Sequence, residues 1–445
     1  MKKLFGTDGI RGIAYKNITK ELVIKVANAI AYIFNKKDNG IKVIIGNDGR
    51  ESANMILSTL KEELLSCGIS VLDAGLIPTP GISYLVKYYN YDLGIMISAS
   101  HNPHEYNGIK IFDKEGYKLS DDVESNIEDL IFDNIKYYST KRGIILDNRD
   151  VIKDYGNHLL DSLNKYNNNV NYNNLNIGID ASNGASSKVC EYIFSKLGSK
   201  YHIINNAPNG TNINNNCGST HPEVLSSYVI NNKLDIGIAY DGDADRVVFI
   251  DELGNIINGD YTLAIISNDL KNKNTIVGTI LSNLGLLEYC KNNDIEFITT
   301  NVGDKYVLEY LRDNNLSLGG EEAGHIILKE YCNTGDGPLT SLIMLSILAS
   351  TNTTFSNLTK IMHKYPEVHI NIKVNNKNDF ATSNIIEDSI KEIKNNFNGN
   401  YRLVIRPSGT EPLVRIVLEG EELKVLEESS NKIKSIIKNL NMEVV

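Results

Sequence analysis

An α/β fold in several domains is predicted by this sequence, three domains of similar design followed by a smaller α+β unit. Three observations carry the expectation. One pattern of apolar strand, turn, amphipathic helix, Gly and second apolar strand occurs three times. That pattern gives way near residue 365 to alternating strands, and 445 residues exceed a single domain of ~100–200 residues severalfold.

The first copy is IKVIIGNDGRESANMILSTLKEELLSCGISVL, from residue 41. Its strands are short continuous apolar runs, as expected where helices cover both faces of a mostly parallel sheet. Ser52 is placed to cap the helix, apolar residues recur at helical spacing, and Gly68 supplies the left-handed stop. The second copy, LNIGIDASNGASSKVCEYIFSKLGSKYHII, starts at 175, and the third, TIVGTILSNLGLLEYCKNNDIEFITT, at 275. Between the first two, the Asn-rich NKYNNNVNYNNLN reads as solvated loop, because apolar strands resume directly after it. Boundaries are expected near 150, 253 and 365, giving units 1–150, 151–253, 254–365 and 366–445. At the last, HKYPEVHINIKV brings a Pro and an alternating strand, and the remainder reads as strand, helix, strands and the solvent-faced helix EELKVLEESSNKIKSIIKNL.

Composition narrows the function classes. A hydrophobic share of 42% and a charged share of 22% suit a soluble globular protein, and no apolar run is long enough to span a bilayer. MKKLFGTDGIRG reaches Gly and Asp at once, without the apolar core of a secretory signal, so a cytoplasmic location is expected. Five scattered cysteines with no C-x-x-C pair argue against a disulfide framework and a thiolate metal site. A net charge of −10 without a basic tract disfavours nucleic acid, so an anionic substrate has to meet a local basic site.

Four stretches carry chemistry. In AYDGDADRVVFID, Asp241, Asp243 and Asp245 alternate with Gly242 and Ala244 after an apolar strand. Small intervening residues let the loop curl until three carboxylates converge, the hard oxygen donors that Mg²⁺ prefers; the plainer reading is a solvated acidic turn. An EF-hand beginning at Asp241 would put its ligand at Glu252, but it would need Gly where Arg246 stands and helices where strands stand. RLVIRPSGTEPLVRIVLEG sets Arg406, Ser408, Gly409, Thr410 and Arg415 on a strand-loop-strand whose hydroxyls, amides and guanidiniums suit a phosphate, the plainer reading being a Pro-stiffened turn. In LGGEEAGHIIL, Glu321, Glu322 and His325 could bind sugar hydroxyls and move a proton, although such Gly-rich turns are common.

The fourth is GIMISASHNPHEYNGIKIF, residues 94–112. Ser100 beside His101 suggests a hydrolase nucleophile, but the G-x-S-x-G elbow is missing. Beside an Asp-rich metal loop the serine better suits phosphoryl transfer, with His101 and Lys110 as neighbours that position phosphate or move protons.

Read together, the four stretches resemble the α-D-phosphohexomutase superfamily: SASHNP is similar to its phosphoserine loop, DGDADR to its metal loop, GEEAGH to its sugar loop and RPSGTEP to its phosphate loop. Within it, KLFGTDGIRG, CGSTHPE, VGDKYVLE and TGDGPLTSL look like the members that act on glucosamine phosphates. Those members usually read G-E-Q-S-G-H in the sugar loop, where this chain has Glu322 and Ala323.

The resemblance implies the four-domain phosphohexomutase architecture, three mixed-sheet α/β domains and a C-terminal α+β domain around a central cleft. It implies that Ser100 is a phosphoserine, and that its phosphoryl group with Asp241, Asp243 and Asp245 binds one Mg²⁺. It places Arg11, Lys110 and Arg246 about the phosphoserine, and Glu321 and His325 at the sugar; His101 beside Ser100, and Glu322, the added carboxylate of the sugar loop, are further catalytic and substrate-binding candidates read from the residues. Arg406, Ser408, Gly409, Thr410 and Arg415 then hold the distal phosphate. The implied substrate is a hexosamine phosphate, with glucosamine 1,6-bisphosphate as intermediate and primer and a product that feeds UDP-N-acetylglucosamine and cell-wall synthesis. Lys110 and His325 both qualify as general base if burial or nearby cations lower their pKa. A phosphomannomutase/phosphoglucomutase and a Mg²⁺-dependent phosphosugar phosphatase are the alternatives; no nucleic acid or membrane is involved, and the oligomeric state is open, a homodimer among the options.

Overall fold

The computed structural model describes residues 4–35, 40–147, 149–270, 275–373, 399–407, 413–439 and 443–444. Each of the three repeated segments forms the strand-helix-strand expected of it. They are Lys42–Asn47, Ala53–Ser66 and Ser70–Leu76; Asn176–Asp180, Ser186–Leu197 and Lys200–Ile204; and Thr275–Thr279, Leu284–Asn292 and Glu296–Thr300. In every copy the two strands pair in parallel. Gly68 does take a left-handed φ of 77°, and a side chain there would meet Ser139. Ser52 does not cap its helix: its own backbone is helical, and its Oγ instead accepts from Asn107 Nδ2 at 2.8 Å.

Each copy adds a further parallel strand that turns back into an antiparallel neighbour. Leu93–Ile97 lies parallel to Lys42–Asn47 and antiparallel to Tyr106–Asp113. Ile236–Tyr240 stands likewise between Asn176–Asp180 and Val247–Asp251, and Leu318–Gly320 between Thr275–Thr279 and Ile326–Leu328. The loops carrying Ser100, Asp241 to Asp245, and Glu321 to His325 therefore occupy equivalent places, each at the carboxyl end of a parallel strand. Open α/β sheets bind ligands at these ends, where loops are free of ladder pairing. The last unit is a four-stranded antiparallel sheet, including Glu367–Lys373, Tyr401–Pro407 and Leu413–Gly420, packed on helix Leu423–Asn439.

Helix Gly337–Thr351 is apolar on every side and buried from Gly337 to Leu348, as befits a helix enclosed by others. Through it one core runs from Ile82 and Tyr155 to Phe249 and Leu342, which ties the three α/β units together and fixes their loops relative to one another. The antiparallel unit has its own core around Ile370, Ile416 and Leu426. It docks by Arg402, which donates to Ser282 O at 2.5 Å, and by Glu419, which accepts from Leu284 N at 2.5 Å. Among the described residues no helix is long and apolar enough to cross a membrane, and all five cysteines are free.

Close to that seam, Asp260 accepts from Asn283 N at 2.7 Å, and burial, with Glu322 nearby, pushes its carboxyl up to about 8. An unfolded Asp titrates near ~4, so between these values the folded chain holds the extra proton and stability falls as pH rises. Asp260→Asn is thus expected to raise the melting temperature clearly near pH 8 and little near pH 5. Equal gains at both pH values would contradict it.

Candidate active site

Strand Leu93–Ile97 is wholly buried, and the loop after it carries Ser100 in a left-handed conformation, φ 51°. That conformation costs a side-chain-bearing residue roughly 1–2 kcal/mol and persists only where surrounding contacts hold it. Ser100 Oγ donates to Asp241 Oδ2 at 2.6 Å, bringing the first α/β unit's loop onto the second's. His101 Nδ1 lies 3.4 Å from the same hydroxyl. Burial, with Arg246 and Arg11 beside it, lowers the His101 pKa to about 4, so its imidazole is neutral at pH 7.

Asp241, Asp243 and Asp245 each offer a carboxylate oxygen within 4.8 Å of the others, and all three are buried. The small residues make this possible. A Cβ on Gly242 would fall 2.7 Å from Ser100 O, and Ala244 takes a φ of 56°. The first unit braces the loop through Thr79, whose N donates to Asp243 O at 2.9 Å and whose Oγ1 donates to Asp243 Oδ2 at 2.5 Å. The donor set fits a hard divalent cation: Asp243 Oδ1 and Asp245 Oδ1 are buried oxygens without a hydrogen bond. Burial together with Asp245 and Asp243 holds the Asp241 pKa well above the usual carboxylate range, a repulsion that a cation would relieve. Glu252, the would-be EF-hand ligand, instead accepts from Ser356 N at 3.0 Å.

The condition under which Lys110 would qualify as a general base, a lowered pKa, is not met. Its ammonium lies 2.8 Å from Asp243, 3.0 Å from Asp8 and 3.2 Å from Asp245. Burial opposes its charge, but these three carboxylates hold it well above the ordinary lysine value. Arg11 pairs with Asp8, while Arg246 donates its backbone N to Asp241 Oδ1 at 3.2 Å and has its guanidinium 3.9 Å from Asp245.

In the sugar loop, Glu321 accepts from Gly303 N at 3.0 Å. His325 is 1% exposed, neither ring nitrogen makes a hydrogen bond, and Nε2 lies 3.5 Å from Asp304 Oδ2. Asp304 in turn accepts from Lys118 at 2.6 Å, and Lys118 reaches Asp8 at 2.5 Å, so one ionic chain joins the amino-terminal loop to the sugar loop. Glu322 is engaged at 2.7 Å by Lys364 and at 2.9 Å by Asn258 Nδ2. With that carboxylate already paired, and such half-exposed pairs contributing ~0–1 kcal/mol, Glu322→Gln is expected to change the glucosamine 6-phosphate to glucose 6-phosphate ratio of kcat/KM by less than about fivefold. A shift of tenfold or more would place Glu322 on the sugar.

Arg406 and Arg415 stand directly opposite each other in the antiparallel ladder, on one face. Burial and Arg415 lower the Arg406 pKa, and facing like charges are destabilising unless an anion lies between them. Ser408, Gly409 and Thr410 lie outside the described residues. Sequence reasoning did not single out Asp48, Arg50, Thr79, Lys118 or Asn214, which act from distant segments. Asp8 and Asp304 lay inside stretches already noted, KLFGTDGIRG and VGDKYVLE, which were the available signal.

Fold and site thus define a protein that holds a serine hydroxyl against a buried loop of three carboxylates able to hold a metal ion. Four family models match in order: Phosphoglucomutase/phosphomannomutase alpha/beta/alpha domain I over residues 2–138, domain II over 153–254, domain III over 258–365, and the C-terminal domain over 370–434. The chain belongs to the phosphoglucomutase/phosphomannomutase family. More particularly, it is 43% identical over 450 residues to a phosphoglucosamine mutase of Caldicellulosiruptor bescii, covering 99% of each chain. A phosphoglucosamine mutase of Clostridium botulinum is 44% identical over 451 residues, again covering 99% of each. In fold it matches a solved phosphoglucomutase/phosphomannomutase family protein of Burkholderia thailandensis, with a TM-score of 0.80 and 21% identity over 99% of this chain and 98% of that one.

Proposed function

We propose that the chain is a phosphoglucosamine mutase, interconverting glucosamine 6-phosphate and glucosamine 1-phosphate through a phosphoserine at Ser100 and a glucosamine 1,6-bisphosphate intermediate. The observation that carries this reading is the 2.6 Å contact of Ser100 Oγ with Asp241 inside a buried three-carboxylate loop. Full-length similarity to phosphoglucosamine mutases supports the amino sugar. The units divide near 150, 253 and 365, each lending one loop to the cleft, and the protein works in the cytoplasm on a free sugar phosphate.

In the forward direction, phosphorylated Ser100 gives its phosphoryl group to O1 of glucosamine 6-phosphate. The Oγ–P bond breaks, an O1–P bond forms, and the O1 proton passes to a base. His325 is the better-supported carrier, since its ring nitrogens are free of hydrogen bonds, whereas Lys110 is held cationic among three carboxylates. The bisphosphate then turns by half, the O6–P bond breaks, Oγ–P re-forms, and O6 regains a proton. One Mg²⁺ held by Asp241, Asp243 and Asp245 with a phosphoserine oxygen would neutralise charge on the transferred group. Lys110, Arg11 and Arg246 orient the phosphoryl oxygens, while Arg406, Arg415, Ser408, Gly409 and Thr410 hold the other phosphate. These cations make a local positive cleft in an acidic protein.

A coupled assay on glucosamine, glucose and mannose 6-phosphates, with and without 1,6-bisphosphate, tests the reading. Preference for glucosamine 6-phosphate with stimulation by bisphosphate is expected. Preference for mannose or glucose 6-phosphate would assign a phosphomannomutase/phosphoglucomutase, and release of inorganic phosphate without primer would assign a phosphatase.

A further inference from the structure

Arg50 belongs to none of the four loops, yet its side chain is 1% exposed. A guanidinium carries five N–H donors in a rigid planar fork, and here all five are engaged. Nε donates to Asp48 Oδ2 at 2.9 Å, Nη1 to Pro103 O and to Tyr106 O at 3.1 Å, and Nη2 to Ser100 O and Asn102 O, both at 2.8 Å. Four of the five acceptors are carbonyls of the phosphoserine loop and the first residue of its return strand.

The contacts close into a ring. Asp48 accepts from Ser98 Oγ at 2.6 Å, Ser98 Oγ accepts from Ser100 N at 2.8 Å, and Ser100 O returns to Arg50. Both peptide groups of Ser100 are thereby fixed, and with them its φ of 51°. From the second α/β unit, Asn214 Nδ2 donates to the same two carbonyls, Ser100 O at 2.8 Å and Asn102 O at 3.1 Å. The loop is thus braced from both sides of the seam on which Ser100 meets Asp241.

We infer that Arg50 is a positioning residue for phosphoryl transfer, holding Ser100 in its left-handed conformation with Oγ on the metal loop, and that Asn214 is a second brace for the same loop. The inference rests on the phosphoserine reading proposed above. It has a consequence for the reaction: with the serine immobile, the bisphosphate turns and the nucleophile does not. Among the described residues Arg50 hydrogen-bonds none of those assigned to the sugar or the distal phosphate, so its loss is expected to act on turnover and not on substrate binding.

The test uses the full-length chain with Arg50→Lys, Arg50→Gly and Asn214→Ala. Three quantities are read: melting temperature, kcat and KM for glucosamine 6-phosphate, and the rate at which radiolabelled hexose 1,6-bisphosphate phosphorylates Ser100. Misplacing a reacting atom by ~1 Å can cost about 100-fold. Arg50→Lys is therefore expected to lose about 100-fold in kcat with KM within about threefold, and Asn214→Ala about tenfold in kcat. Added guanidinium ion, but not ammonium ion, should restore at least about tenfold of the loss in Arg50→Gly, which a purely structural role would not give. A folded Arg50→Lys with kcat within threefold of the parent overturns the inference; if the Arg50 variants do not fold, an unchanged kcat in Asn214→Ala does so. Should the parent turn over no hexose phosphate while the variants still slow Ser100 phosphorylation, the positioning role stands and the mutase reading falls.

Discussion

Ser100→Ala is expected to lose mutase turnover by on the order of 10⁴-fold or more, the scale seen when a covalent nucleophile is removed. On the proposed mechanism the loss is chemical: the hydroxyl oxygen is the atom that receives and returns the phosphoryl group, and Asp241 cannot substitute for it. The fold should survive. Ser100 Oγ meets only Asp241 at 2.6 Å and His101 at 3.4 Å among the described residues, while the loop is held through its backbone by Arg50 and Asn214. The melting temperature should move by a few degrees only, and glucosamine 6-phosphate should still bind, because the sugar and distal phosphate loops are untouched. Calorimetric titration of substrate into the variant checks binding, and the coupled assay checks turnover. Turnover within tenfold of the parent would remove Ser100 from the chemistry.

The second large effect concerns the cation. Asp241→Asn keeps the shape of the side chain, so it can still meet Ser100 Oγ and the Arg246 amide, but it removes one of three converging charges. If a divalent ion supplies ~3–4 kcal/mol of charge stabilisation to the transferred phosphoryl group, kcat should fall by roughly 10²–10³-fold. Stability should respond in the opposite sense. Burial and the two neighbouring carboxylates hold the Asp241 pKa well above the usual range, so its ionised form burdens the metal-free fold near neutrality. Without divalent ions the variant should melt at least as high as the parent. A ligand that binds only the folded state raises stability in proportion to its affinity, so the Mg²⁺-dependent rise in melting temperature should be present in the parent and lost in the variant. An identical Mg²⁺ response in the two proteins would contradict the assignment of Asp241 as a ligand.

What the sequence made legible is what repeats locally. The three strand-helix-strand segments and the loops at 98–105, 241–246 and 321–325 were readable because strand and helix periods are short-range. Alternate Asp residues separated by Gly and Ala announce a curled loop in the same way. The misreadings involve partners far along the chain. Ser52 looked like a cap because its neighbours are helical, but its hydroxyl faces Asn107, on the strand that returns from the phosphoserine loop. Lys110 qualified as a base only if burial or nearby cations lowered its pKa; the three carboxylates that keep it charged come from residue 8 and from the Asp241–Asp245 loop. Glu322 likewise has a partner the local sequence did not show, Lys364 at 2.7 Å. Arg50 carried no signal at all, since a guanidinium that reads four carbonyls is defined by the folded loop and not by its own flanks.

The most direct measurement is the location of covalent phosphate after incubation with a hexose 1,6-bisphosphate, by peptide mass spectrometry of the parent and of Ser100→Ala. The expected result is one phosphoryl group on the peptide carrying Ser100, removed when glucosamine 6-phosphate or glucosamine 1-phosphate is added, and absent from Ser100→Ala. Phosphate on another residue, or a phosphate on Ser100 that neither sugar phosphate can take up, would contradict the role of Ser100 as the phosphoryl carrier.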